Sequence, residues 1–241
     1  MKNKILYCVI FVFMIMNISN AQLTFDHFEY VETPLQTQIE GIVWDALTAS
    51  QYNAALSSLS GYSNITIVEN PTSEYNCHGW AWHLSEGNTT KVWINFENDD
   101  EERNLEHYWY DGSFIEVSSN NEAENVHYYE GDHSADKYSS TLYKSKWGYS
   151  GLIIHTPDNV PSIYLGNKKY YASFKVNGPQ LVCYGSTATF TTPDYVNCTF
   201  NWTYNTNLLN YVSGQGTKTF VVEPKTSTSC GEAWGKIGVN D

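Results

Sequence analysis

The run Asn76-Cys77-His78-Gly79-Trp80-Ala81-Trp82-His83-Leu84 holds the side chains best suited to covalent chemistry. It follows the turn signal Asn70-Pro71-Thr72-Ser73, and Asn76 is a good N-cap type, so the pattern predicts a helix that opens at Cys77. Unpaired amides and the positive end of the dipole at a helix start favour a thiolate over a thiol, the route by which reactive cysteines reach pKa values of roughly 3.5 to 7.5. The same amides can hold an oxyanion. A glycine inside the helix costs about 1 kcal/mol against alanine, so Gly79 is expected where another backbone segment approaches closely.

A nucleophilic thiol needs a base, supplied by a histidine near in space rather than in sequence. His133 is the best placed candidate: it follows the Gly131-Asp132 turn and opens a strand whose small residues, Ser134 and Ala135, permit close approach to the helix start. His127 sits beside Tyr128 and Tyr129, which suits stacking. His78 lies about 100° around the helix from Cys77 and is expected to diverge from it, as a surface or substrate-contact residue. Zinc is the rival use of these side chains, but His78 and His83 are five apart rather than the three or four that put two ligands on one helix face, so no metal and no cofactor are expected.

These residues need elements to hold them. Apolar residues from Gln36 to Leu59 recur near helical spacing, with a break at Thr48-Ala49-Ser50, and predict two short helices. Strands are predicted at Ile65–Val68, Lys91–Phe96, Tyr108–Tyr110, Phe114–Val117, Asn125–Tyr129, His133–Tyr138 and Leu152–His155. Helices followed by a meander of strands make an α+β domain, with helix packed on one antiparallel sheet. A domain boundary is expected near Ser162 to Lys169, and beyond Tyr170 the texture turns to alternating Thr, Asn, Val and aromatics. Short strands at Ala188–Thr191, Cys198–Tyr204, Thr217–Val222 and Gly235–Val239 suggest a β-sandwich over 166–241, with Trp202 in its core.

The chain of 241 residues is long enough for two cores, and its 41% apolar and 16% charged composition fits globular structure. The net charge of −13 comes without a basic cluster, which argues against nucleic-acid binding. Residues 1–21 carry Lys2 and Lys4, an apolar stretch from Ile5 to Ile18 and small residues at Ser19-Asn20-Ala21, as a secretory signal peptide does. The apolar stretch is short for a membrane span, so no membrane attachment is expected after cleavage and the protein is expected to be secreted, at the cell surface or periplasmic. After signal removal four cysteines remain: Cys77 alone, and Cys183, Cys198 and Cys230 near the end. Their pairing stays open, with Cys77 either joined from afar or kept free.

Asn76-Cys77-His78-Gly79-Trp80-Ala81-Trp82, Asp132-His133-Ser134-Ala135, Ser145-Lys146-Trp147-Gly148 and His155 together resemble the papain-like cell-wall hydrolases of the NlpC and CHAP type, as a divergent branch. The resemblance spans roughly Tyr75 to His155 and implies a papain-like domain over 22–165. It implies Cys77 as nucleophile, His133 as base and Ser145 as the residue orienting the imidazole, with Lys146 or His155 as alternatives. Asn76 stands where the NlpC type usually has Asp, and His78 where it often has Ser. The resemblance implies a thiol peptidase or amidase acting on a peptide, foremost the peptidoglycan stem peptide, with His78, Trp80 and Trp109 contacting substrate. The tail, through Gly178-Pro179, Cys183, Asn201-Trp202 and Ser213-Gly214-Gln215-Gly216, resembles bacterial immunoglobulin-like modules, which implies a spacer or a site for a glycan or protein ligand. Two rivals use the same residues: a non-catalytic adhesion protein with Cys77 in a disulfide, and a toxin-like effector with the same Cys/His dyad.

Overall fold

A computed structural model describes residues 23–95, 104–179, 181–182, 185–225, 231–232 and 236–238. The expected signal segment, Cys8, Cys183 and Cys230 lie outside them. Among the described residues no helix is long and apolar enough to cross a membrane. The chain is mixed, with few helices and several antiparallel sheets. It divides into two compact units: Met1–Phe114 with Ala123–Tyr171, and Ile115–Glu122 with Ala172–Asp241.

The first unit opens with a hairpin of β1 (Phe25–Glu32) and β2 (Gln38–Trp44). A helix was expected across β2. Its period is instead two: Ile39 and Gly41 turn inward, and Gly41 admits Val92, whose Cβ would lie 2.6 Å from any Cβ added there. Helix α1 is Ala49–Leu59, begun by a capping box between Thr48 and Gln51. Strand β3 (Thr66–Glu69) leads to helix α2 (Cys77–Trp82), and the short helix α3 (His107–Tyr110) occupies residues expected to be extended.

Then come β4 (Phe114–Val117), β5 (Asn125–Tyr128), β6 (His133–Lys137), β7 (Tyr143–Lys146), β8 (Leu152–His155) and β9 (Lys168–Ser173). They form one sheet with β3, in the order β3-β8-β7-β6-β5-β9-β4. The first unit extends past residue 165 because β9 pairs with β5, from Asn125↔Tyr171 to Tyr128↔Lys168. Each face of the sheet has its own core. Val126, Tyr128, Ala135, Tyr143, Trp147 and Ile153 meet Leu59 of α1, whereas Ala81 and Trp82 of α2 join Val31, Ile39, Val92, Tyr108 and Phe114.

The second unit is all β in its described strands: β10 (Leu181–Val182) with β15 (Gly231–Glu232), β12 (Asn201–Thr203) with β16 (Lys236–Gly238), and β11 (Ala188–Thr191), β14 (Thr219–Pro224) and β13 (Leu209–Ser213) in one sheet. Trp202 stacks on Phe220 at 5.2 Å, and its Nε1 donates to Thr217 O at 2.7 Å, so its polar atom is satisfied within the core.

Candidate functional site

Asn76 fixes where α2 begins. Its Oδ1 accepts from Gly79 N at 2.8 Å and Ile94 N at 3.2 Å, while its Nδ2 donates to Ile94 O at 2.7 Å. One side chain thus caps the helix and ties it to the Val92–Ile94 segment. An aspartate would cap as well but could not donate to Ile94 O, which accounts for asparagine here. Gly79 faces the same segment, and a Cβ there would lie 2.1 Å from Val92 O. Cys77 is buried in the first turn, and among the described residues it has no disulfide partner.

Helix α2 packs against the face of β6 that carries Ser134 and Asp136. Trp82 Nε1 donates to Ser134 Oγ at 2.8 Å, His78 Nδ1 lies 2.9 Å from the same oxygen, and Trp80 Nε1 donates to Asp136. Residues of a strand alternate faces and cross-strand partners share one. His133, between the Gly131-Asp132 turn and Ser134, therefore turns away from α2 with Ala135 and its partner Tyr128, into the core beneath α1. Its ring stacks on Tyr164 at 4.2 Å and 9°. Burial, with His155, His78 and His127 nearby, holds it well below the ordinary imidazole pKa, and neither ring nitrogen has a hydrogen-bond partner among the described residues.

His78, expected at the surface or against substrate, is buried, with Nδ1 on Ser134 Oγ and Nε2 toward Asp132. Burial works to discharge the ring, but the Cys77 sulfur and the Asp132 carboxylate outweigh burial and raise the His78 pKa to about 10. Asp132 Oδ1 lies 3.4 Å from His78 Nε2, and Asn95 Nδ2 donates to that same oxygen. The turn that positions Asp132 is tight, with Asp132 at φ 47° and Gly131 against Tyr164, whose backbone would lie 2.5 Å from an added Cβ. Imidazole and carboxylate so meet from one helix turn and one hairpin turn, beside Cys77 in the sequence.

The remaining candidates divide by the same pleat. Ser145 lies across from Ile153 on the α1 face; its hydroxyl bonds His155 Nε2 at 2.7 Å and accepts from Trp147 Nε1 at 3.1 Å. His155 Nδ1 donates to Thr156 O at 2.8 Å, so Nε2 is the acceptor of the Ser145 hydroxyl, and Ser145 does not orient His133. Burial lowers His155 to about 4. Trp109 stacks on Tyr171 at 5.1 Å and Trp80 carries Lys144 at 4.6 Å from its ring; both are partly buried and pack against the core.

No family model, curated protein or solved structure matches the chain.

The site therefore rests on its own geometry. The structure brings His78 and Asp132 together and turns His133 to the other face of β6, and the period-two alternation of His133, Ser134 and Ala135 carried that signal: apolar Ala135 puts His133 inward and Ser134 toward the helix. Two clefts of about 580 and 640 Å³ lie elsewhere in the first unit, lined by Tyr30, Glu32 and Asn88 and by Leu56, Tyr62 and Ile67 respectively. Among the described residues no group of three His, Cys, Asp or Glu side chains is arranged to hold a metal ion.

Proposed function

We propose that the first unit is a cysteine hydrolase of amide bonds, with Cys77 as nucleophile, His78 as acid and base, and Asp132 as the carboxylate that holds the imidazole. The observation that carries this reading is the buried His78 ring, next to Cys77 in the first turn of a helix capped by Asn76, with its Nε2 3.4 Å from Asp132 Oδ1. His78 takes the proton of Cys77, and the thiolate adds to the substrate carbonyl. The amides of Cys77 and His78, which precede the Gly79 N–H taken by the Asn76 cap, are the ones left to meet the oxyanion. His78 then gives its proton to the departing amine, and the thioester remains. Water, deprotonated by His78, adds to the thioester and releases the acid and the thiol.

The papain-like assignment draws on the resemblance in residues and on a cysteine-bearing helix packed against an antiparallel sheet; the shift of the base from His133 to His78 follows from the pleat of β6. The second unit, read as an immunoglobulin-like module, would act as a spacer or bind a glycan or protein. The substrate proposed is a peptide, foremost the stem peptide of peptidoglycan, met by a protein secreted through its N-terminal signal. Among the described residues Cys77 has no disulfide partner, which weighs against a disulfide-bonded adhesion protein.

Incubating the chain and its Cys77→Ala variant with purified sacculi, and with unrelated peptides, tests the reading by mass spectrometry of the products. New amine and carboxyl ends released by the wild type and not by the variant are expected. Equal products from both, or none from either, would remove the hydrolase reading, and cleavage confined to unrelated peptides would move the substrate away from the wall.

A further inference from the structure

The hydroxyl of Ser134 stands among three side-chain nitrogens and has a single proton to give. Ser134 is 0% exposed, on the face of β6 that meets α2, and its cross-strand partner is His127 of β5. Trp82 Nε1 lies 2.8 Å from its Oγ, His78 Nδ1 2.9 Å and His127 Nδ1 3.3 Å. The two imidazoles are 5.9 Å apart, centre to centre.

The partners decide where the protons sit. An indole N–H only donates, so Trp82 occupies one lone pair of the Ser134 Oγ. His127 Nδ1 also lies 3.2 Å from His133 O, and a carbonyl only accepts, so that nitrogen carries a proton shared between His133 O and the hydroxyl oxygen. The hydroxyl proton is left for His78 Nδ1, the nearer of the two imidazole nitrogens. With Nδ1 accepting, the proton of a neutral His78 ring sits on Nε2, which faces Asp132 Oδ1 at 3.4 Å. A proton gained by that ring therefore arrives at Nδ1. The hydroxyl then turns, and its oxygen accepts from Nδ1–H as it does from Trp82, while His127 keeps His133 O.

We propose that Ser134 is a positioning residue for His78: its hydroxyl holds the neutral ring in the Nε2–H form, aimed at Asp132, and leaves Nδ1 as the nitrogen that takes up and returns the proton. The carboxylate is half-exposed and fixes the outer end of the ring, whereas the serine fixes the buried end. A hydroxyl suits the task because it can donate to the neutral ring and accept from the charged one, which neither a carbonyl nor an ammonium can do.

The inference rests on His78 as acid and base, but proton–nitrogen correlation NMR of the full chain with labelled histidines reads the ring without any substrate. Cys77→Ala is the background for it: burial already disfavours the charged ring, so loss of the sulfur brings the neutral form to lower pH. There the neutral His78 is expected to show Nε2 protonated and Nδ1 bare, with the resonance of an accepting nitrogen. Adding Ser134→Ala should move the Nδ1 resonance downfield, to that of a nitrogen without a donor, and Ser134→Thr should leave it in place. With Cys77 intact, Ser134→Ala should lower kcat about tenfold, a part of the general acid–base contribution, at a KM within about twofold, and Ser134→Thr should restore most of it. A protonated Nδ1 in the neutral ring of the chain that retains Ser134 would overturn the proposal, whether or not Ser134→Ala folds. So would an Nδ1 resonance that ignores Ser134→Ala, since the serine would then serve Trp82 alone. Peptide hydrolysis by a chain whose neutral His78 carries its proton on Nδ1 would keep the hydrolase and remove this inference; the expected spectra from a chain that cleaves no peptide would remove the hydrolase and keep Ser134 as the holder of the ring.

Discussion

At the residue scale, the site is a competition between burial and charge around two neighbouring imidazoles. His78 and His133 are both buried, but His78 has the Cys77 sulfur and Asp132 to stabilise its proton, and among the described residues His133 has other histidines and the rings of Tyr128 and Tyr164. The first is therefore equipped to move a proton beside the sulfur and the second to stay neutral in the core. His78→Ala is expected to lower turnover by on the order of 10²–10⁴-fold, the usual range for a general acid and base, measured as kcat on whichever peptide the chain cleaves. Asp132→Asn leaves the ring hydrogen-bonded but removes the charge behind it. Its activity is expected to fall about tenfold at neutral pH, read from a pH–rate profile whose alkaline limb moves to lower pH, because the imidazolium loses a stabilising partner.

At the element scale, the start of α2 depends on Asn76 and Gly79 together. Gly79→Ala drives a methyl group into Val92 O and is expected to destabilise the first unit by about 1–3 kcal/mol, read from the denaturation midpoint. Asn76→Asp keeps the cap but loses the donor to Ile94 O, and a smaller loss of about 1 kcal/mol is expected in the same assay. The close approach at Gly79 and the cap at Asn76 were legible because both follow from local chemistry. So were β4, β6 and β11, nearly to their ends, since each is a short run bounded by turn signals. The strand β2 was not: Ile39, Ile42 and Val43 fit a helical and an alternating pattern alike, and only pairing with β1 chooses. The orientation of His133 was in the sequence too: its turn lies beside α2, but the pleat, read from Ser134 and Ala135, sends its side chain to the other face.

At the scale of the whole molecule, buried neutral imidazoles make the fold sensitive to acid. His133, lowered well below its ordinary value, and His155, lowered to about 4, are bases whose folded pKa lies below the unfolded value of about 6.5. Between the two values the unfolded chain binds more protons, so stability rises with pH across that window and falls as pH drops from about 6.5 toward 4. Urea denaturation across this range should show the loss, and His155→Gln, which retains a partner for Ser145 and cannot titrate, should reduce it by on the order of 2 kcal/mol at the acid end. The central claim, that the sulfur of Cys77 answers to His78 and not to His133, is tested most directly by iodoacetamide alkylation of the intact chain at pH 6.5, followed by peptide mapping of Cys77. The account predicts a fall of about tenfold or more in His78→Ala and a change within about twofold in His133→Phe, which preserves the stack on Tyr164. A Cys77 rate that survives loss of His78 and collapses on loss of His133 would contradict it.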